Sequence, residues 1–316
     1  MRAPQQAKTG DDTPLISLDN VSVRYPNGHN ALEGISLDMS PGTICGLVGV
    51  NGAGKSTLFK AMMGFIKPTH GRVTIAGRDV VLALKANMVA YVPQTEDVDW
   101  NFPVLVEDIV MMGRYGHMGF LRRPRKQDRE AVDQALERTD ISKLRKRQIG
   151  ELSGGQRKRV FLARALAQGG DIILLDEPFT GVDIQTERAM TQLLRDLANE
   201  GKLIIVSTHN LGSVPNFCDT VMLINQTLLA YGDVETTFTR DNLARAFGGM
   251  LRDVNLGGEQ LHDDEDTRGV SVLTDDERPL VFYGDEEQTE IVKSRNGDRR
   301  GTSEDTIEDT GDNSDD

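Results

Sequence analysis

A buried-strand pattern passes directly into a glycine-rich loop in the segment Thr43-Ile44-Cys45-Gly46-Leu47-Val48-Gly49-Val50-Asn51-Gly52-Ala53-Gly54-Lys55-Ser56-Thr57. The loop fits the pattern G-x-x-x-x-G-K-S/T, and a helix is predicted directly after it, over Lys55–Met63. Glycines at these positions let backbone N–H groups turn inward around phosphate oxygens, and the start of a helix adds a favourable dipole field. The segment therefore predicts a phosphate-binding loop between a central strand and a helix. The other interpretation, a glycine-rich turn without a ligand, does not explain the lysine and the hydroxyls.

The loop predicts the binding of a nucleoside triphosphate. Lys55 is expected to reach the β- and γ-phosphates, and the Ser56 hydroxyl is expected to bind Mg²⁺. The predicted cofactors are therefore ATP and Mg²⁺. The loop residues expected to surround the nucleotide are Gly49, Asn51, Gly52, Ala53, Gly54, Lys55, Ser56 and Thr57.

The rest of the body alternates strand and helix patterns. Strands are predicted at Ile172–Leu175 and Leu203–Ser207, with a helix at Gln185–Glu200 between them. Such alternation indicates parallel βαβ units with helices on both faces of the sheet. Near the N-terminus, residues 15–25 and 31–39 alternate apolar and polar residues, which is typical of strands with one buried face. The predicted fold class is therefore α/β.

Two acidic residues end the predicted strand Ile172–Leu175. Ligands in open parallel sheets lie at the carboxyl ends of the strands, so Asp176 is placed to hold Mg²⁺ directly or through water. Side chains alternate along a strand, and Glu177 is therefore expected to point the other way, where it could polarise an attacking water as a general base. Many surface strands end in Asp-Glu, but the combination with the phosphate-binding loop favours the functional interpretation.

A second phosphate cradle is predicted at Leu152-Ser153-Gly154-Gly155-Gln156, where a hydroxyl and two glycine amides open a helix. One nucleotide has no obvious use for two cradles from one domain. The L-S-G-G-Q segment, the phosphate-binding loop and Leu174-Leu175-Asp176-Glu177-Pro178, in this arrangement and spacing, resemble the ABC ATPase family. In that family the cradle of one subunit closes on the ATP of another. The resemblance therefore implies a head-to-tail dimer, in which Ser153, Gly154, Gly155 and Gln156 contact the partner's nucleotide.

The resemblance covers about residues 15–250 and assigns further roles. It implies that Gln94 contacts Mg²⁺ and the attacking water, that His209 contacts the γ-phosphate, and that Tyr25 stacks on adenine. Gly181-Val182-Asp183 matches the family's D-loop. Two departures from the family pattern, Lys158 and the segment Phe179-Thr180-Gly181, are not expected to touch a chemical role. Catalysis is thus expected to depend on Glu177, His209 and Gln94, with Ser56, Gln94 and Asp176 as the metal ligands.

The resemblance also predicts a domain plan. A P-loop NTPase core with a parallel sheet, an antiparallel β-subdomain and a helical insert (residues 97–155) is expected over residues 14–250. It follows a disordered lead of residues 1–13. Residues 251–316 form an acidic extension that is expected to be largely disordered at its end, with a short strand pair possible at VSVLT and PLVFYG. His262–Asp266 lies there, and a solvated acidic tail is favoured over a metal sensor.

The segment around the insert resembles the ATPases of bacterial manganese, iron and zinc importers. In those systems Asp99-Trp100-Asn101-Phe102-Pro103 would face the membrane subunits. The alternative is that Trp100 and Phe102 pack the insert's own core. The resemblance implies permease partners, an extracytoplasmic metal-binding protein and a peripheral position on the cytoplasmic face of the cell membrane. Two other functions stay open: an importer ATPase for another solute such as an iron chelate, and a soluble ABC ATPase outside transport.

Composition limits the other classes of function. The net charge of −13 belongs to residues 251–316, whose own balance is −14, so the near-neutral body gives no argument for nucleic-acid binding. No segment approaches the roughly 18 consecutive apolar residues that a membrane helix needs, and the start lacks the apolar core of a signal peptide. Cys45 and Cys218 lie far apart and are expected to be buried, reduced residues.

Overall fold

The computed structural model describes residues 14–94 and 102–248 with their side chains. Beyond residue 248 it describes the backbone of four short strands: β11 (Arg252–Leu256), β12 (Val270–Thr274), β13 (Leu280–Tyr283) and β14 (Glu290–Ile291). These strands pair antiparallel in the order β11-β12-β13-β14. The possible strand pair at VSVLT and PLVFYG is therefore confirmed. The expected disorder of the two termini lies outside the described residues, as do Trp100 and His262–Asp266.

The main sheet of the described chain has six strands in the order β10-β9-β3-β8-β7-β6. Strands β6, β7, β8, β3 and β9 run parallel, and β10 pairs antiparallel with β9. The buried β3, β7 and β8 are continuous apolar runs, as strands covered on both faces are expected to be. The strands are β3 (Ile44–Val48), β6 (Val89–Val92), β7 (Ile172–Asp176), β8 (Leu203–Thr208), β9 (Thr220–Asn225) and β10 (Thr227–Asp233).

A smaller antiparallel sheet has the order β2-β1-β4-β5. Its first two strands carry the alternation that the sequence predicts, with one buried face and one exposed face. The predicted β-subdomain is thus present. The strands are β1 (Ile16–Arg24), β2 (Asn30–Met39), β4 (His70–Ile75) and β5 (Arg78–Asp79).

Helices follow the strands of the main sheet and also form the insert. The helix after the phosphate-binding loop and the one after the Asp-Glu pair have nearly the predicted bounds, and the insert is helical, as expected. The helices are α1 (Lys55–Met62), α2 (Val80–Lys85), α3 (Val106–Met112), α4 (Lys126–Arg138), α5 (Gly154–Gln168), α6 (Ile184–Asn199), α7 (Val214–Phe217), α8 (Val234–Thr237) and α9 (Arg240–Phe247). Among the residues that the structure describes, no helix combines the length and the apolar character needed to cross a bilayer.

Two apolar cores cover the two faces of the main sheet. Ile44 and Val48 of β3 belong to one core, which contains α5, α6 and the insert helices. Cys45 and Leu47 of the same strand belong to the other core, with α1 and the antiparallel sheet. The alternation fixes the strand between two packed layers, so the loop that follows it leaves the sheet at a defined point.

Both cysteines are buried and free, as predicted. Burial raises the pKa of the Cys45 thiol to about 12, which a hydrogen bond with Thr220 only partly offsets. A thiol with so high a pKa has almost no thiolate at neutral pH and behaves as a small apolar side chain.

Candidate active site

The carboxyl ends of four parallel strands meet at one edge of the main sheet. The phosphate-binding loop follows β3, Asp176 ends β7, His209 follows β8, and Gln94 comes two residues after β6. Because β3, β8, β7 and β6 are neighbours in that order, groups far apart in sequence come together. They surround a cavity of about 240 Å³, whose lining includes Tyr25, the loop residues, Gln94, Asp176 and Glu177.

The backbone of the loop requires glycine at specific points. A side chain at Gly49 would meet the Ile224 carbonyl oxygen at 2.3 Å, and Gly54 has a φ of 101° with the Ala31 carbonyl only 2.6 Å from an added Cβ. Gly54 is also the N-cap of α1, where no side chain caps the helix. The first N–H groups of α1 are therefore available to an anion, which is the arrangement that binds phosphate.

Lys55 is buried at the start of α1. Its ammonium donates hydrogen bonds to the Gly49 carbonyl at 2.6 Å and to the Val50 carbonyl at 3.2 Å. Burial lowers the pKa of Lys55, and the nearby carboxylates of Glu177 and Asp176 act in the opposite direction. The ammonium is thus held at the centre of the loop, where it can exchange carbonyl oxygens for phosphate oxygens.

Two of the three predicted Mg²⁺ ligands are in contact, and the third, Gln94, lines the same cavity. The Ser56 hydroxyl donates to Asp176 Oδ2 at 3.3 Å, and the Tyr91 hydroxyl donates to the same oxygen at 3.4 Å. Ser207 holds the other oxygen of Asp176 with a short hydrogen bond. A hydroxyl and a carboxylate at the mouth of a phosphate loop are the hard oxygen donors that Mg²⁺ prefers, so the residues fit this ion. Tyr91 and Ser207 were not predicted, because their roles depend on the neighbouring strands.

Strand alternation predicts that Glu177 points away from Asp176, and this prediction is wrong. Both residues line the same cavity. The reason is the backbone of Glu177, which has a φ of 49°, a left-handed conformation that is uncommon outside glycine. The strand has ended at Asp176, so the alternation no longer applies. The turn is held because the Glu177 N–H donates to both the carbonyl and the hydroxyl of Ser207, each at 3.1 Å.

The carboxylate of Glu177 is positioned by several side chains. Gln94 Nε2 donates to Oε2 at 2.6 Å, Thr180 Oγ1 donates to the same oxygen at 3.4 Å, and His209 Nδ1 lies 3.1 Å from Oε1. Glu177 also borders a second cavity of about 270 Å³, with Gly181, Val182 and His209. The structure therefore brings the side chains of Gln94 and His209 together at the carboxylate of Glu177.

The two departures from the family pattern do contact this site, contrary to expectation. Lys158 Nζ donates to the backbone carbonyl of Glu177 at 3.0 Å, and Thr180 contacts its carboxylate. Burial lowers the pKa of Lys158 below the ordinary 10.5, and the nearby charge of Glu177 offsets only part of this shift. Lys158 is half-buried and lies one turn from the start of α5. It is thereby placed beside Glu177, which is 19 positions later in the sequence. That contact depends on the packing of α5 against β7 and cannot be recognised from local sequence.

The second cradle opens α5, as predicted. Ser153 is the N-cap: its hydroxyl accepts from the Gln156 N–H at 3.3 Å, and the Gln156 side chain accepts from the Ser153 N–H at 3.0 Å. Ser153 and Gly154 are exposed. Among the described residues that line the phosphate-loop cavity, none belongs to this segment. Within one chain, the structure therefore does not bring the two cradles to the same ligand.

The structure also describes three other residues that the sequence singles out. Tyr25 follows β1 at the rim of the cavity, and its hydroxyl lies 3.1 Å from the Thr57 hydroxyl. Asp183 caps α6 by accepting from the Thr186 N–H at 2.9 Å. Phe102, by contrast, is 62% exposed and does not pack the insert's core.

This fold and this site define a P-loop ATPase. The profile of the ABC transporter family matches residues 32–180. The Chelated iron transport system membrane protein YfeB of Yersinia pestis is 64% identical, over 86% of this chain and 92% of its own length. The Manganese transport system ATP-binding protein MntA of Synechocystis is 57% identical, over 74% of this chain and 90% of its own. The chain belongs to the family of ABC transporter ATP-binding subunits, which hydrolyse ATP.

A solved structure agrees with this assignment. A chain of an inward-facing ABC transporter, described as of metal-chelate type, superposes with a TM-score of 0.68 at 27% identity. The match covers 83% of this chain and 98% of that one. The α/β fold with a P-loop core is therefore that of ABC ATPase domains.

Proposed function

We propose that this chain powers a membrane importer for manganese or iron ions by hydrolysing ATP at the shared edge of β3, β7 and β8. The observation that supports the chemistry is the convergence of Lys55, Asp176 and Glu177 on one cavity. Lys55 and the N–H groups at the start of α1 would bind the β- and γ-phosphates. Tyr25, at the rim, would stack on the adenine.

Each remaining group has a role that its contacts support. Ser56, Asp176 and Gln94 would hold Mg²⁺, which when bound neutralises charge on the phosphates. Glu177 would take a proton from the attacking water, since its carboxylate faces the cavity and is oriented by Gln94 at 2.6 Å. His209, 3.1 Å from Glu177, would contact the γ-phosphate.

A dimer is part of this proposal. The Ser153–Gln156 cradle of each chain would close on the ATP bound by its partner. The capping contacts at the start of α5 engage the N–H groups of Ser153 and Gln156, so the N–H groups of the two glycines between them would face the phosphates. Hydrolysis would then open the dimer, and the insert would pass that motion to permease subunits. The chain would lie on the cytoplasmic face of the membrane, with an extracytoplasmic metal-binding protein in the same system.

The choice of cargo is supported by the similarity to the chelated-iron protein of Yersinia pestis and the manganese protein of Synechocystis. Nothing in the ATP site selects a metal, because the cargo would pass through the partners. The exposed Phe102 is consistent with a permease contact in the insert, since aromatic side chains are enriched in protein interfaces.

The test is uptake of radiolabelled manganese, iron and zinc by cells that carry the permease genes with the wild-type chain or with Lys55→Ala. Lys60→Ala is the matched control, because Lys60 is an exposed lysine on the same helix. We expect Lys55→Ala to abolish manganese or iron uptake and Lys60→Ala to leave it unchanged. If the Lys55 variant loses ATPase activity while uptake of all three ions stays at the wild-type level, the cargo is wrong and the ATPase role stands.

A further inference from the structure

The segment between α3 and α4 ends in an exposed group of apolar and basic side chains. Phe120 is 101% exposed and Leu121 is 71% exposed. The side chains that follow, Arg122, Arg123, Arg125 and Lys126, are all exposed as well. We call residues 120–126 the basic tip. The sequence has no acidic residue between Asp108 and Asp128, so residues 120–126 carry no carboxylate of their own. Lys126, at the end of the tip, pairs with the exposed Glu130 at 3.6 Å.

The base of this segment is firmly attached to the insert. Arg114 Nε donates to Asp128 at 3.0 Å, and Arg114 Nη1 donates to the Ala167 carbonyl at 2.9 Å. Asp128 is fully buried. His117 Nε2 lies 2.7 Å from the Gln168 carbonyl. These contacts fix both ends of the segment on α4 and α5, so the tip is presented at a defined position rather than left to collapse onto the protein.

The tip is a protrusion and not the wall of a groove. A Cβ added at Gly119 would meet no heavy atom within 4 Å, and Phe120 itself is fully exposed. A protein partner would need a pocket that accepts this convex shape, whereas a lipid headgroup layer accepts an aromatic ring without a preformed pocket. Arginine and lysine around an apolar side chain are the combination that binds anionic membrane surfaces.

We infer that the basic tip contacts an anionic lipid surface, with Phe120 and Leu121 entering the headgroup layer and the cations facing lipid phosphates. This contact goes beyond the proposed transport role and does not depend on the cargo. It would hold the helical insert against the membrane from outside the permease, in addition to any protein contact near Phe102.

The test is co-sedimentation of the full chain with vesicles. One set contains equal amounts of phosphatidylglycerol and phosphatidylcholine, and the other contains phosphatidylcholine alone. We expect binding to the anionic set only, weakened by added salt. Each cation near such a surface contributes about a five-fold change in affinity, so Arg122→Glu with Arg123→Glu should reduce binding by about 25-fold or more. Phe120→Ser should reduce it several-fold.

Matched controls separate the tip from general charge and apolarity. Arg78→Glu with Lys143→Glu makes the same charge change at exposed positions elsewhere, and Ile184→Ser removes another exposed apolar side chain. Thermal melts check that each variant is folded, which matters for Arg122 because it lies 4.8 Å above the Tyr115 ring.

Three results would overturn the inference. The first is wild-type protein that does not sediment with anionic vesicles at low salt. The second is an equal loss of binding in the control variants, which would assign binding to net charge rather than to the tip. In the third, the wild-type chain does not bind lipid, and the tip variants lose the stimulation of their ATPase activity by the reconstituted permease. That result would make the tip a protein contact.

Discussion

Replacing Glu177 by glutamine tests whether this carboxylate is the base of ATP hydrolysis. The substitution keeps the shape of the side chain and removes its charge. A glutamine can turn its amide so that the oxygen still accepts from Gln94, 2.6 Å away, while its nitrogen faces His209, 3.1 Å away. The backbone contacts of residue 177 with Ser207 and Lys158 involve no side-chain atom of Glu177. The variant should therefore fold normally and still bind ATP.

The expected loss follows from the role of the carboxylate. A positioned general base contributes about 10²–10⁴-fold to a rate, which corresponds to roughly 3–5 kcal/mol of barrier. His209 remains next to the amide and can accept the proton of the water in place of Glu177, although less effectively. We therefore expect a loss near the lower end of that range. Adding His209→Ala to Glu177→Gln should then reduce the rate further.

The assay is single-turnover hydrolysis of Mg²⁺-ATP by the purified chain, with ATP affinity and dimer mass measured on the same samples. We expect about 100-fold slower hydrolysis or more, near-normal affinity, and a dimer that persists in ATP. Glu130→Gln is the control, because Glu130 is an exposed carboxylate on α4 that pairs with Lys126 and lies outside the ATP site. A Glu177→Gln rate within a few-fold of wild type would refute the assignment of the base.

Other contacts give further predictions. Lys158→Met should lower kcat about ten-fold with little change in KM, because a charged hydrogen bond to the Glu177 carbonyl, worth about 1.5–3 kcal/mol, is lost. ATP affinity should fall as pH rises through the pKa of Lys55, which burial lowers from the ordinary 10.5, because the neutral amine no longer attracts phosphate. Titration calorimetry over a pH series measures this fall. Asp128→Ala should destabilise the fold by about 3 kcal/mol by leaving Arg114 buried without its carboxylate, and a thermal melt should show a fall of about 6–12 °C.

Each of these predictions has a matched control. Lys158→Gln retains a donor and should recover much of kcat, so equal losses in the Met and Gln variants would contradict a positioning role. In the Lys55→Arg variant the side chain stays charged over this pH range, so ATP affinity should no longer fall with pH. If the fall persists in that variant, a group other than Lys55 causes it. Glu130→Ala removes an exposed partner of Lys126 and should leave the melting temperature nearly unchanged. An equal shift in both melts would contradict the importance of the buried pair.

The pKa of Asp128 adds a pH dependence to stability. Burial alone would raise this pKa, but hydrogen bonds from the Arg125 N–H and from Arg114 more than offset burial, so the pKa lies below the ordinary 3.8. A carboxyl with a lowered folded-state pKa stabilises the fold above its unfolded pKa, and this contribution is lost as pH falls through the folded value. The difference between wild type and Asp128→Ala should therefore shrink only in strong acid.

The sequence predicts those parts of the site that are local. The phosphate-binding loop, the N-cap at Ser153 and the carboxylate of Asp176 each follow from a strand or helix end next to them in sequence. The orientation of Glu177 does not, because its left-handed turn depends on hydrogen bonds that its N–H donates to Ser207 on the neighbouring strand. The contact of Lys158 is equally non-local, since it requires α5 to pack beside the end of β7.

These non-local contacts connect the two cradles of one chain. Ser153, which would close on the partner's ATP, caps the start of helix α5, and about one turn into the helix Lys158 donates to the carbonyl of this chain's own Glu177. A movement of α5 on binding the partner's nucleotide would therefore reach the backbone that orients the base in this chain. In the proposed dimer, Lys158→Met should weaken the dependence of one site's hydrolysis on ATP in the other. If cooperativity in ATP survives that substitution unchanged while kcat falls, α5 positions the base without transmitting the partner's state.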